Sequence, residues 1–185
     1  MSLKIIAGQF KGRILKTPKG SSTRPTQGML RESVFNICQN EIPGARFLDL
    51  FAGSGAMALE AVSRGASHAT MVENNRNALA SIRENIALLQ AASQTTVMTC
   101  DAKSALSKLS GPFEIVYVDP PYDMPIAPFI DALIKRGLLA PGGLLFIEER
   151  SRPTPPALHF SSLSLVGTRR FGEALLHQYR LSEVP

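Results

Sequence analysis

Two short runs hold residue types that could do chemistry together. The first is Phe47-Leu48-Asp49-Leu50-Phe51-Ala52-Gly53-Ser54-Gly55-Ala56-Met57-Ala58, a β-rich run that passes through a glycine turn into a helical pattern. Glycines let the chain turn sharply and let a ligand approach backbone with no Cβ in the way. In an open α/β sheet such a turn lies beyond the carboxyl end of a strand, where ligands bind. Read as G-x-G-x-x-A, with Glu73 placed 20 residues after Gly53, the run fits a dinucleotide such as NAD, and it fits S-adenosylmethionine as well. Charge separates the two. Asp49 precedes the first glycine by four residues, where a carboxylate repels a pyrophosphate and favours a ligand carrying an ammonium and a sulfonium. Opposite unit charges about 4 Å apart attract by about 4 kcal/mol at an effective dielectric near 20, before desolvation. S-adenosylmethionine is therefore preferred. Glu73, ending the next β-rich run, can accept from ribose hydroxyls; Asp101, ending the third, can accept from an adenine amine or cap the helix that follows.

The second run is Asp119-Pro120-Pro121-Tyr122, directly after Ile115-Val116-Tyr117-Val118. Two prolines fix the backbone, so the Asp119 carboxylate and the Pro120 carbonyl become rigid acceptors in the same cleft as the glycine turn. Two acceptors beside an aromatic face suit an exocyclic base amine, a poor nucleophile because its lone pair is delocalised into the ring. Hydrogen bonds from both of its N–H groups favour a pyramidal nitrogen that can attack a sulfonium methyl in line, while Tyr122 stacks on the base.

These residues need a scaffold, and the pattern from Ala45 onward supplies one. Apolar runs at 46–50, 69–72, 95–98, 115–118 and 144–147 alternate with helical stretches at 56–63, 75–89 and 126–136. In the second stretch Leu79, Ile82, Ile86 and Leu89 form one apolar helical face. Nearly all-apolar strands separated by helices indicate a parallel sheet covered on both faces. The expected fold is a Rossmann-like α/β domain with a mostly parallel sheet of seven strands. After a proline-rich break at 153–156, the runs 163–166 and 174–179 read as an antiparallel C-terminal hairpin, with Gly167 to Gly172 as its loop. Near the start, Lys4 to Lys16 reads as a small β-hairpin around Gly8 and Gly12, Ser21 to Gln27 as loop, and Arg31 to Cys38 as a short helix. The whole chain, 1–185, is read as one domain: an extension over 1–40 and a core over 41–185.

Charge is distributed unevenly. Residues 1–31 hold seven bases (Lys4, Lys11, Arg13, Lys16, Lys19, Arg24 and Arg31) and no acid, leaving 13 bases against 15 acids in the rest. A basic arm on a near-neutral body suits a polyanion or serves as a solvated terminus. No run of eighteen apolar residues is present, the start lacks the apolar stretch of a secretory leader, and Cys38 and Cys100 show no metal-ligand spacing. These features lead to the expectation of a soluble, cytoplasmic protein with reduced thiols, no metal and no membrane partner. His68, His159 and His177 show no ligand spacing and are read as surface or structural.

Asp49 to Gly55 together with Asp119 to Tyr122 resembles the class I S-adenosylmethionine-dependent methyltransferases that act on exocyclic base amines. Ile5-Ile6-Ala7-Gly8-Gln9-Phe10-Lys11-Gly12-Arg13, Arg24-Pro25-Thr26 and Arg31-Glu32-Ser33-Val34-Phe35-Asn36 narrow the likeness to the bacterial 16S ribosomal RNA guanine-N2 methyltransferase family, over nearly the whole chain. The resemblance implies that Asp49, Gly53, Gly55, Glu73 and Asp101 bind the cofactor, that Asp119, Pro120, Pro121 and Tyr122 hold the target guanine, and that Arg24 to Asn36 lies over the cofactor's methionine end. Phe35 reads as core. With the family in view, Lys11, Arg13, Lys16, Lys19 and Arg24 become contacts to 16S RNA or a small-subunit assembly intermediate. Arg169 and Arg170, read as loop residues of the C-terminal hairpin, either extend that surface or are solvated. A monomer is expected. An adenine-N6 methyltransferase and a noncatalytic RNA-binding module are the competing readings; no separate target-recognition domain supports the first, and the complete Asp119 to Tyr122 motif opposes the second.

Overall fold

Strands apolar on both faces can be stable only between two helical layers, and that is the arrangement found. A computed structural model describes residues 2–18, 25–121, 124–150 and 160–182, without the side chains of residues 25 and 26. The seven strands are β1 (Arg46–Asp49), β2 (His68–Val72), β3 (Thr95–Met98), β4 (Phe113–Val118), β5 (Leu139–Arg150), β6 (Leu163–Phe171) and β7 (Ala174–Leu181). They lie in the order β3-β2-β1-β4-β5-β7-β6, parallel through β5. Strand β7 then runs antiparallel to both β5 and β6. The helices are α1 (Pro25–Ile37), α2 (Ala56–Ser63), α3 (Arg76–Leu89), α4 (Ala102–Lys108) and α5 (Ala127–Lys135). The strand order reverses between β1 and β4, which opens a crevice beyond their carboxyl ends.

Period-two alternation along β4 divides the core. Ile115 and Tyr117 join Phe47, Met71 and Phe146 on one face, packed with Phe35 of α1 and Leu59 of α2. Val116 and Val118 join Leu48, Leu145 and Ile147 on the other, packed with α4 and α5. Helix α3 buries Leu79, Ile82 and Leu89 as its periodicity predicts, and the Asn75 side chain caps it by accepting from the amides of Asn77 and Ala78.

The arm is bound to the core. Ile5 and Leu15 are buried, each burial contributing about 1.5–3 kcal/mol, and a single antiparallel bridge joins Lys4 to Ile14. The fully buried carboxylate of Glu60 accepts from the amides of Ile6 (2.7 Å) and Ala7 (3.0 Å) and from Arg64 Nε (2.7 Å). Gly8 has φ +80°, and a Cβ there would fall 1.8 Å from the Ser63 carbonyl oxygen, so the turn can close only on glycine. The buried Asn85 side chain of α3 accepts from the Lys16 amide and donates to the carbonyls of Lys16 and Ser54, tying the arm to the glycine turn.

Three boundaries differ from the sequence expectation. Helix α1 begins at Pro25 rather than Arg31, because proline suits a first helical turn and the interior Gly28 is tolerated. Strand β5 begins at Leu139, with an irregular register against β4 where Pro141, Gly142 and Gly143 intervene. The expected loop from Gly167 to Gly172 is strand as far as Phe171; a register shift at Gly167 absorbs the irregularity. Arg169 and Arg170 therefore stand on β6, not in a loop. The N-terminal hairpin pairs between Leu3 and Leu15, through the Lys4–Ile14 bridge and backbone hydrogen bonds from Leu15 to Leu3, Ile5 to Arg13 and Gly12 to Ile5. Lys19, Arg24, Tyr122, His159 and the 153–156 break lie outside the described residues.

Candidate active site

The carboxyl ends of β1, β4 and β5 carry Asp49, Asp119 and Glu148. Asp49 pairs in register with Tyr117, Tyr117 with Phe146, and Val118 with Ile147. Side chains in register on parallel strands share a face and recur every second residue. Asp49, Tyr117, Asp119 and Glu148 thus emerge on the face that α1 and the arm cover, and all four line one cavity of about 240 Å³. Gly53 and Ser54 form its floor, while Leu3, Thr17, Pro18 and Arg31 close it from the arm and α1.

Asp49 is 1% exposed, and neither carboxylate oxygen has a hydrogen-bond partner. Burial pushes its carboxyl up to about 7; the nearby Phe51 amide, outside hydrogen-bonding geometry, opposes this and the Glu73 charge adds to it. An acid left bare inside a protein is costly unless a cation or donor joins it. Asp119 is partly buried, and burial with the Glu148 and Asp49 charges raises its carboxyl well above the usual range. Glu148 is raised by burial and lowered by the Tyr117 hydroxyl, which donates to its Oε2. Arg31, the cation in this cavity, is buried and engaged: its Nη2 donates to the Lys4 carbonyl (2.6 Å) and its Nε lies 3.8 Å from Glu60.

The glycine turn has the backbone its chemistry requires. Gly53 (φ +55°) has open space where a Cβ would stand, and Gly55 (φ +78°) is packed against Met71 Sδ, 3.0 Å from the same position. Glu73 secures the turn: one carboxylate oxygen accepts from the Gly53 amide (2.8 Å), the other from the amides of Asn74 and Asn75 (both 2.8 Å). Glu73, Asp101 and Pro121 line a second cavity of about 320 Å³, with Phe51 walling both. Asp101 is exposed and caps α4, accepting from the Ser104 amide and hydroxyl, which hold its carboxyl below the usual range.

The structure therefore brings together the residues singled out at strand ends: Asp49, Gly53 and Asp119 around one cavity, Glu73, Asp101 and Pro121 around the other, with Gly55 packed beneath. Pro120 is buried, and the Pro121 carbonyl accepts from the Met124 amide (2.9 Å). Tyr122 lies outside the described residues. Lys11, Arg13 and Lys16 are exposed on the arm and line neither cavity. Among the described residues no His, Cys, Asp and Glu group is disposed to hold a metal, and no helix is long and apolar enough to cross a membrane. Sequence reasoning passed over Glu148 and Tyr117. Glu148 follows the apolar run 144–147 as Asp119 follows 115–118, and the same end-of-strand logic would have found it.

A sheet reversing beside a glycine turn, ended by an antiparallel hairpin and opening on strand-end acids, is the Rossmann-like class I methyltransferase fold. The family model described as conserved hypothetical protein 95 matches residues 3–180, and the chain belongs to that family. Ribosomal RNA small subunit methyltransferase D of Escherichia coli is 39% identical over 159 residues, 84% of this chain and 80% of that protein. The protein of the same name from Haemophilus influenzae is 31% identical over 158 residues, 82% and 81% of the two chains. Among solved structures, "Putative methyltransferase yhhF from Escherichia coli" superposes with a TM-score of 0.88 at 34% identity, covering 100% of both chains.

Proposed function

We propose that this protein transfers a methyl group from S-adenosylmethionine to the exocyclic N2 amine of a guanine in 16S ribosomal RNA of the small ribosomal subunit. The observation that carries the reading is the opening of Asp49 and Asp119, from adjacent strands, into one cavity beside the glycine turn. The similarity to enzymes named for small-subunit ribosomal RNA supports the substrate class.

S-adenosylmethionine supplies an electrophilic methyl carbon on a sulfonium. The residues present fit it: Asp49 offers two buried, unpartnered oxygens to a cationic ligand, and Gly53 leaves room for close approach. Asp49 with Gly53 takes the charged methionine end; Glu73, still offering lone pairs, takes the ribose, and Asp101 takes the adenine end. Asp119 and the Pro120 carbonyl accept from the two N–H groups of the amine and free its lone pair for attack, and Tyr122 stacks on the base. The amine, once methylated, would have a proton to shed, and Asp119 is placed to take it.

The arm supplies the RNA contact. In a duplex the guanine amine is paired and faces the minor groove, so the base must be in a loop or flipped out, at a cost of a few kcal/mol. Phosphate contacts from Lys11, Arg13, Lys16, Lys19 and Arg24 offset that cost.

The test is methylation of small-subunit RNA, naked and as an assembly intermediate, followed by nuclease digestion and mass spectrometry. N2-methylguanine at one position is expected. A methyl group on adenine N6 overturns the base assignment, and no transfer to either substrate makes the chain a binding module. Asp119→Ala should cut turnover at least ten- to a hundredfold, the worth of a charge-assisted hydrogen bond, with product affinity nearly unchanged. Glu73→Ala should weaken S-adenosylmethionine binding first.

A further inference from the structure

The position in register beside Asp119 is occupied by a second carboxylate that the proposed reaction does not use. Val118 and Ile147 are the last paired residues of β4 and β5, so Asp119 and Glu148 are neighbours across the strand ends, on one face and in one cavity. Glu148 is held by a single contact: the buried Tyr117 hydroxyl donates to its Oε2, while Oε1 accepts no hydrogen bond among the described residues. No described base forms an ion pair with either acid. Arg31, in the same cavity, is committed to the Lys4 carbonyl and Glu60.

Two adjacent carboxylates with free lone pairs and no cation between them form a receptor for two adjacent N–H donors. The bases differ on this point. Guanine presents N1–H next to its N2 amine, donor beside donor. Adenine and cytosine present an exocyclic amine next to a ring nitrogen that accepts, and an acceptor facing a carboxylate is repelled. Selection by an unmatched polar partner is strong because the wrong base leaves a desolvated group unpaired.

We infer that Glu148 is a specificity-determining residue: its Oε1 accepts the N1–H of the target guanine while Asp119 accepts from the neighbouring N2 amine, so the acid pair reads guanine and rejects adenine. Tyr117 fixes Glu148 for this contact. The inference rests on the guanine-N2 reading above and extends it to how the base is chosen.

2-Aminopurine provides the test, since it keeps the 2-amino group and turns N1 from donor to acceptor. The substrates are a synthetic 16S RNA fragment with guanine at the mapped position and the same fragment with 2-aminopurine there; kcat/KM is measured on both. The natural enzyme should prefer guanine by about ten- to a hundredfold, the range of a charge-assisted hydrogen bond. Glu148→Gln, whose amide can donate or accept, should lose most of that preference while binding S-adenosylhomocysteine as before. Glu148→Ala, adding no donor, should lose it too. Retained preference in both folded variants overturns the assignment, as does an equal loss on both RNAs, which would mark a general role. Transfer to adenine N6 by the natural enzyme defeats the guanine reading itself, whereas N2-methylguanine with unchanged preference in the variants defeats only the role of Glu148.

Discussion

Replacing Asp49 by asparagine tests whether the bare acid is held in readiness for a cationic ligand. Its carboxyl sits at about 7 in the folded protein against 3.8 ordinarily. Below pH 4 it is protonated in both folded and unfolded chains; between 4 and 7 only the unfolded chain ionises; above 7 both do. Folding stability therefore falls as pH rises through this window, by about 4 kcal/mol at 1.36 kcal/mol per unit. Asp119 and Glu148 are raised in the same direction, so the quantity to read is the difference between the natural protein and Asp49→Asn. Urea unfolding at pH 4 and pH 7.5 should show the natural protein losing several kcal/mol more than the variant. Calorimetry supplies a second reading. A bound cation pulls the carboxyl down, so S-adenosylmethionine should release nearly one proton near pH 6 from the natural protein and none through this residue in Asp49→Asn, with at least tenfold weaker binding. Parallel stability profiles, within about 1 kcal/mol, together with equal proton release, would refute the reasoning.

Gly8→Ala forces a Cβ to 1.8 Å from the Ser63 carbonyl at positive φ, whereas Gly12→Ala has the same sign of φ and open space; the first should cost about 2–4 kcal/mol and the second about 1 kcal/mol in chemical denaturation. Neutralising Lys11, Arg13 and Lys16 together should flatten the salt dependence of RNA binding by about 0.7 log units per lost contact while the methylated nucleotide stays the same. An unaltered salt slope in filter-binding titrations would reduce these charges to solubilising ones.

Much of the fold could be read from the chain because buried parallel strands announce themselves as apolar runs, and Asp49, Glu73 and Asp119 could be placed at strand ends because each lies at the end of such a run. The failures have equally local causes. Gly167 reads as the start of a loop, and Gly28 and Gly142 lie outside the expected helix and strand, but a helix and two strands run through them. Glu148 is followed by Glu149 and Arg150, a sequence that resembles a solvated strand end. Its place after the run 144–147 marks it as a strand-end acid, and the register of β5 against β4 sets it beside Asp119. Glu60 lies between Leu59 and Ala61 in a short helix, and nothing nearby in sequence indicates that its partners are amides 53 and 54 residues away.

The clasp formed by Glu60, Ser63 and Asn85 makes the arm, through Leu3, Thr17 and Pro18, a wall of the cavity shared by Asp49 and Asp119. Ser63 accepts from the Phe10 amide and donates to the Ala7 carbonyl (2.6 Å), so the arm is held by three residues of the core. Arm and core are thus one mechanical unit. A chimera that takes its first forty residues from one relative and the rest from another keeps a closed pocket only when the acid, hydroxyl and amide of the clasp travel with the arm.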